Sequence, residues 1–267
     1  MSRPRCRELL TDDDRALAIA VQAGAHGVYV QNALALGEGE GFVYGTEQDQ
    51  GLGWFGPRGN LVVVAVTEPT PAIAAFVVDR ILAAALPWRL AMGPTAVIDA
   101  LAQRLPVAPL VCRDQIYYRG AAATASTPHP EVRSAQRADR DRLMQATLLL
   151  NQADLQIDPA RVDRRWLRDT IDERTAAGGT HVIGPVGGPW CKLDVGSDGP
   201  GGQVIEGVFT FPEHRGKGLA AGLVAACLRR APAGAILHVG QHNRPARAAY
   251  EHAGMATAGR CRLLLLG

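Results

Sequence analysis

The fold-deciding stretch is Val204-Ile205-Glu206-Gly207-Val208-Phe209-Thr210-Phe211-Pro212-Glu213-His214-Arg215-Gly216-Lys217-Gly218-Leu219-Ala220. Residues 204–211 are rich in β-branched and aromatic side chains and end at a proline, which predicts a strand. Residues 218–230 carry apolar residues at helical spacing and end in two arginines, which predicts a helix. Between them lies a glycine turn with two cations. A strand, a glycine turn and a helix N-terminus together form a site for an anion such as phosphate.

Two common phosphate-binding motifs do not fit this turn. The nucleotide-triphosphate loop needs a lysine followed by serine or threonine, whereas Lys217 is followed by Gly218. The dinucleotide fingerprint needs a third glycine three residues further on, where Ala221 stands. The segment Arg215-Gly216-Lys217-Gly218-Leu219-Ala220 instead resembles the Arg/Gln-x-x-Gly-x-Gly/Ala signature of the GNAT superfamily, the acyl-coenzyme A (CoA) dependent N-acetyltransferases.

A second motif follows at the distance this resemblance implies. Residues 235–240 predict a short strand, and Asn243 predicts the N-cap of a helix that carries Tyr250 and ends at Gly254. The segment is similar to the strand and helix that follow the phosphate loop in the superfamily. The resemblance covers roughly residues 130–267.

The resemblance implies acetyl-CoA as acyl donor and a set of binding positions. Backbone amides near the end of the central strand would polarise the thioester, and those of the turn would bind the pyrophosphate. The matching cofactor-binding residues are Val208, Phe209, Thr210, Arg215, Gly216, Lys217, Gly218, Leu219, Ala220 and Asn243.

Two residues match catalytic positions. Tyr250 matches the tyrosine that serves as general acid beside the coenzyme A sulfur. The alternative interpretation of Tyr250 is a helix residue that packs under the sheet. Glu206 is the candidate general base, because alternation places it on the same side of the strand as residues 208 and 210. Its alternative is an exposed or salt-bridged strand residue. His238 and His242 are four residues apart across a strand end, which does not favour a metal site, so we predict none.

The first half predicts a related domain. Its predicted elements repeat the element order of the second half. They are helices at 12–25 and 29–36, strands at 42–46, 52–55 and 61–66, a helix at 73–86, a strand at 89–92, a helix at 95–105 and a strand at 112–119. In place of the phosphate loop stands Thr67-Glu68-Pro69-Thr70-Pro71, with no glycine and no cation. We therefore interpret this half as a degenerate copy that does not bind coenzyme A.

The predicted fold class is α/β (α+β), with two tandem GNAT-like domains, each a mixed, mostly antiparallel sheet flanked by helices. The predicted domains are residues 1–120, degenerate, and 131–267, catalytic. The small, proline-bearing segment 121–130 predicts a linker between them.

Composition narrows the function classes. The 267 residues carry a net charge of +2, which argues against nucleic-acid binding, and no apolar run is long enough to cross a membrane. The N-terminus lacks the apolar core of a signal peptide, which predicts a cytoplasmic protein. The 5 cysteines are scattered and predict neither disulfides nor zinc.

The predicted function is transfer of an acetyl group from acetyl-CoA to a primary amine of a small molecule or peptide, by direct attack in a ternary complex. The alternative is a non-catalytic acyl-CoA sensor or a partner-binding protein on the same fold. A homodimer is compatible with the sequence. Asp154, Asp158 and Asp163 lie in the predicted acceptor region, where they fit either a cationic amine or ordinary helix starts, and they leave the acceptor open.

Overall fold

The computed structural model describes residues 5–9, 14–45 and 50–267, the first of these ranges by its backbone alone. Positions 12, 13 and 46 of the predicted helix and strand therefore lie outside the described residues.

Strands and helices alternate in the same order in both halves of the chain. The strands are β1 (Arg5–Leu9), β2 (Glu40–Gly45), β3 (Gln50–Gly56), β4 (Asn60–Ala65), β5 (Leu90–Gly93), β6 (Val111–Gly120), β7 (Val132–Ser134), β8 (Thr180–Ile183), β9 (Cys191–Ser197), β10 (Gln203–Thr210), β11 (Ala235–Gly240) and β12 (Ala256–Leu265). The helices are α1 (Asp14–Gln22), α2 (Val28–Leu36), α3 (Pro71–Ala84), α4 (Thr95–Arg104), α5 (Arg140–Leu155), α6 (Arg164–Ala176), α7 (Leu219–Arg230) and α8 (Arg244–His252). In each half the elements follow one another in the order strand, two helices, three strands, helix, strand, helix and strand.

The chain forms two compact units. Unit 1 comprises the described residues up to 117 together with 199–201 and 258–267, and unit 2 comprises 118–198 and 202–257. The closing strand β12 thus lies largely in unit 1, where residues 262–265 pair antiparallel with β5. The predicted boundaries differ here, because the sequence position of β12 suggested that it belongs to the second domain.

The sheet of unit 1 contains the predicted antiparallel meander of β2, β3 and β4, followed by β5, which is parallel to β4. β1 pairs antiparallel with β2 along its whole length and was not predicted. Its sequence alternates arginines with few apolar residues, so it carries little strand signal. Buried aliphatic side chains of α3 and α4, among them Val77 and Leu101, pack against β4 and β5.

The sheet of unit 2 has the order β11, β10, β9, β8, β7, in which only β10 and β11 run parallel. Helices α5 and α6 bury Leu143, Leu167 and Ile171 against Val182 of β8. Ala146 of α5 packs against Phe209 at the end of β10. These contacts fix α5 across the end of the central strand.

The predicted linker is packed onto unit 2. The Ser126 amide donates to the Ala253 carbonyl at 3.0 Å, and the His129 amide donates to the Gly222 carbonyl at 3.3 Å. The Arg229 guanidinium donates to carbonyls of the same segment. Residues 121–130 are therefore held by backbone hydrogen bonds.

Among the described residues, no helix is both long and apolar enough to span a membrane.

Candidate active site

The two parallel strands of unit 2 separate soon after they begin. Within the described residues, β10 and β11 are paired only over the first two residues of each strand. β10 then continues to Thr210 along an edge that β11 has left. Residues 208–210 line an opening in the sheet at this edge, and a peptide group there that does not pair with β9 is available to a ligand.

A bulge divides β10 before this opening. Glu206 lies opposite Asp194 of β9. Phe209, three residues further on, lies opposite Lys192, only two residues away from Asp194. Gly207 takes up the extra residue with a φ of +60°, in the left-handed region that favours glycine. The prediction from strict alternation was therefore wrong: Glu206 shares its side of the sheet with Phe209.

Glu206 belongs to a partly buried ionic cluster. Its carboxylate accepts a hydrogen bond from the Arg174 guanidinium at 2.9 Å, and the same guanidinium lies 3.0 Å from the Asp194 carboxylate. Asp194 also pairs with the Lys192 ammonium and accepts from the Thr180 hydroxyl at 2.8 Å. Burial acts to raise the pKa of Asp194, but the two cations lower it to a net value below the ordinary one.

The turn after β10 has the form of an anion site. Gly216 and Gly218 have φ values of +75° and +72°, and a Cβ added at either would meet no atom within 4 Å. Gly218 is the N-cap of α7 and offers no side-chain hydrogen bond to the first amides of the helix. Those amides and the positive end of the helix dipole therefore face the space beside the turn.

Arg215 is fixed at the start of this turn. Its Nε donates to the Thr210 carbonyl at 3.2 Å, and its guanidinium lies 5.9 Å from the centre of the Phe209 ring. These contacts place a cation between the end of β10 and the N-terminus of α7.

The opening between the strands continues into a cavity of about 620 Å³. Its walls come from the end of β10, the turn, the start of α7, the helix α8 and the last turns of α5. The lining residues are Leu150, Ala153, Asp154, Val208, Phe209, Thr210, His214, Arg215, Gly216, Lys217, Gly218, Leu219, Ala220, Ala221, His242, Asn243, Pro245, Ala246, Ala249, Tyr250 and His252. The structure thus brings together all the predicted cofactor-binding residues and Tyr250, whereas Glu206 does not line the cavity.

Helix α8 closes one side of the cavity. Asn243 is its N-cap, as predicted, and its Oδ1 accepts a hydrogen bond from the Ala246 amide at 3.2 Å. Pro245 in the first turn has no amide hydrogen to satisfy. The cap orients α8 so that Pro245, Ala246, Ala249 and Tyr250 face the cavity.

Tyr250 lies at the inner wall and is only 6% exposed. Its ring packs edge-on against Tyr118, with centroids 5.9 Å apart. Tyr118 is held in turn by a hydrogen bond of 2.7 Å from its hydroxyl to the Glu251 carboxylate. Burial raises the pKa of Tyr250 above its ordinary value, and the charge of Asp154 raises it further. The phenol is therefore protonated at neutral pH.

Some lining residues were not selected from the sequence. Asp154 was named only as one of three acidic residues that fit either a cationic amine or a helix start, and His214 carries no motif signal. His214 stacks on Trp190 with centroids 5.1 Å apart, a contact between distant residues that sequence spacing does not reveal. His242 lies in the lining, and within the described part of the chain no three histidine, cysteine or acidic side chains are grouped as metal ligands.

The corresponding turn of unit 1 is built differently. The Thr70 hydroxyl accepts a hydrogen bond from the Ile73 amide at 3.4 Å, so a side chain caps α3, which begins at Pro71. The Glu68 carboxylate accepts from the Ala96 amide at the start of α4 at 3.3 Å. A protein hydroxyl and a carboxylate thus each accept from one amide at a helix N-terminus in this unit, and the absence of coenzyme A binding there stays a prediction.

Comparison with known proteins agrees with this geometry. Residues 147–255 match the profile described as "Acetyltransferase (GNAT) family". No curated protein matches the chain. Unit 2 therefore contains a GNAT acetyltransferase domain, a family whose general activity is acyl-CoA-dependent acetyl transfer.

Solved structures extend the likeness to nearly the whole chain. A GCN5-related N-acetyltransferase from Sphaerobacter thermophilus is 16% identical, with a TM-score of 0.55 over 99% of this chain and 95% of that one. A tandem GNAT protein from the clavulanic acid biosynthesis pathway is 13% identical, with a TM-score of 0.51 over 98% of both chains. A Drosophila protein is 11% identical, with a TM-score of 0.60 over 98% of both. The predicted fold of two GNAT-like halves in tandem is confirmed.

Proposed function

We propose that unit 2 is an N-acetyltransferase that transfers the acetyl group of acetyl-CoA to a primary amine of a small molecule or peptide, by direct attack in a ternary complex. One observation carries the proposal: a single cavity joins an anion-binding helix N-terminus, an unpaired strand edge and a protonated tyrosine.

The residues present fit acetyl-CoA. The turn offers backbone amides and the cations Arg215 and Lys217 to a pyrophosphate, and its two glycines leave the approach open. The peptide groups of residues 208–210 lie beside the space that the pantetheine arm would enter. When bound, acetyl-CoA supplies an activated thioester.

The acceptor attacks as the neutral amine: the C–N bond forms, the C–S bond breaks and the amine releases one proton to solvent. This transfer needs a polarised carbonyl and a proton for the leaving sulfur. A backbone amide on the open edge of β10 is suited to the first task, because it is fixed by the strand and needs no reorganisation. The Tyr250 hydroxyl is suited to the second, because it lines the cavity and carries a proton at neutral pH. Tyr250 is thus the general acid in this mechanism.

Direct attack is favoured over an acyl-enzyme. None of the cavity-lining residues, all within the described part of the chain, is a cysteine. Cys191 lies nearby in β9, where the Thr210 hydroxyl is 3.2 Å from its sulfur, and burial raises its pKa to about 11. A neutral buried thiol is a poor nucleophile.

The test compares the wild-type protein with Tyr250→Phe. Release of free coenzyme A is followed with acetyl-CoA and a panel of primary amines, and acetyl-CoA affinity is measured separately by calorimetry. We expect Tyr250→Phe to lower kcat about 10²–10⁴-fold, as for the loss of a general acid, with affinity unchanged. Equal turnover in the two proteins would remove Tyr250 as the acid. Binding without turnover on any amine would favour the sensor alternative.

A further inference from the structure

Three acidic residues lie in the segment that borders the cavity, and two of them have structural tasks. The Asp158 carboxylate accepts a hydrogen bond from the Ala160 amide at 2.8 Å. The Asp163 carboxylate caps α6 by accepting from the Arg165 amide at 2.8 Å. Neither residue lines the cavity, so these carboxylates are explained by the caps that they form.

Asp154 differs from both in position. It lies in the last turn of α5, which ends at Leu155. The negative end of the helix dipole disfavours a carboxylate there. Its side chain lines the cavity together with Tyr250. Among the described lining residues it is the one carboxylate.

The charges of the cavity are therefore separated between its walls. Arg215, Lys217 and the N-terminus of α7 provide positive charge on the wall that suits the phosphates of the donor. The carboxylate of Asp154 provides negative charge on the α5 wall, beside the tyrosine that would serve the reaction. An anionic donor and a cationic acceptor match these two walls, because each meets opposite charge.

We propose that Asp154 binds a positively charged group of the acceptor, so that the acceptor class is a primary amine that carries a second, positively charged group. The inference rests on the proposed function, since it assigns the acceptor side of the same cavity. Asp154 is within electrostatic range of Tyr250, because its charge contributes to the raised pKa of that phenol. A group bound by Asp154 would thus lie close to the general acid.

The test uses two acceptors that differ only at the far end of one chain. Cadaverine carries an amine at both ends of a five-carbon chain, and aminovalerate replaces one amine with a carboxylate. The ratio of kcat/KM for cadaverine over aminovalerate is measured for the wild type, for Asp154→Asn and for the matched control Asp158→Asn. The control removes the same charge four residues away, outside the cavity, and asparagine keeps the ability to cap.

We expect the wild type to prefer cadaverine by about tenfold or more, as for a hydrogen bond to a charged group. Asp154→Asn should abolish the preference through KM, and Asp158→Asn should keep it. Asp154→Lys should reverse it.

Acetyl-CoA affinity, measured by calorimetry in each variant, separates this inference from the proposed function. A preference that Asp154→Asn leaves intact, or a wild type that does not distinguish the two acceptors, would overturn the role of Asp154 while acetyl-CoA binding and transfer stand. Failure of the wild type to bind acetyl-CoA would overturn the proposed function, and this inference with it.

Discussion

Substitution of Gly218 by alanine should weaken acetyl-CoA binding far more than it destabilises the protein. Gly218 has a φ of +72°, and a Cβ there would meet no protein atom within 4 Å. The added methyl group therefore costs about 1–2 kcal/mol of folding stability, through left-handed backbone strain alone. If the turn relaxes to a negative φ, the first amides of α7 turn away from the phosphate site.

The effect on binding follows from those amides. A hydrogen bond to a charged group contributes about 1.5–3 kcal/mol, so the loss of a single amide contact weakens affinity about ten- to hundredfold. The methyl group also projects into the space that a phosphate would approach. We expect Gly218→Ala to lose acetyl-CoA affinity by about a hundredfold or more.

The chain offers a matched control in Gly178, just beyond the end of α6. It has the same φ of +72°, and a Cβ there would also meet no atom within 4 Å, but it does not line the cavity. Gly178→Ala should lower the melting temperature by a similar amount and leave the acetyl-CoA dissociation constant unchanged. Both quantities are measured by thermal melts and calorimetric titration. An affinity loss of equal size in the two variants, or none in Gly218→Ala, would refute the assignment of the turn.

Two further predictions concern ionisation. Asp194→Asn should destabilise the protein by about 3 kcal/mol, because it leaves the Lys192 ammonium buried without its carboxylate partner. The folded pKa of Asp194 is lowered, so this stability is present above the unfolded pKa of about 3.9 and is lost as the pH falls through the folded pKa. Denaturant melts of the wild type and of Asp194→Asn between neutral and acidic pH measure the difference in their free energy of unfolding. A difference that grows as the pH falls would contradict the pairing. The pKa of Tyr250 is raised, so its ionisation should not lower kcat below about pH 10. A fall in kcat that begins below about pH 10 in the wild type and is absent from Tyr250→Phe would contradict this prediction.

The sequence predicted those parts of the site that depend on local chemistry. The glycines of the turn and the Asn243 cap act within a few residues of themselves, so their roles could be read from spacing. The side of the sheet on which Glu206 lies could not be predicted in this way, because a single extra residue at Gly207 reverses the side to which Glu206 points. Its partner Arg174 lies on helix α6, and nothing in the local sequence indicates the pair.

The fold, like the site, was predicted where local sequence determines it and was missed where long-range contacts do. Helices and the meander of unit 1 carry clear periodicity and were predicted to within a few residues. β1 was missed because its strand character comes from pairing with β2 and not from its own residues. The placement of β12 beside β5 is a long-range contact that chain order cannot predict.

The central claim is that one cavity, in unit 2, binds acetyl-CoA. Calorimetric titration of the full chain with acetyl-CoA tests it most directly, because the same experiment measures affinity and stoichiometry. We expect about one site per chain, since the α3 N-terminus of unit 1 is capped by its own Thr70 whereas the α7 N-terminus has no side-chain cap. Two sites would contradict the degenerate interpretation of unit 1, and no binding would contradict the account as a whole.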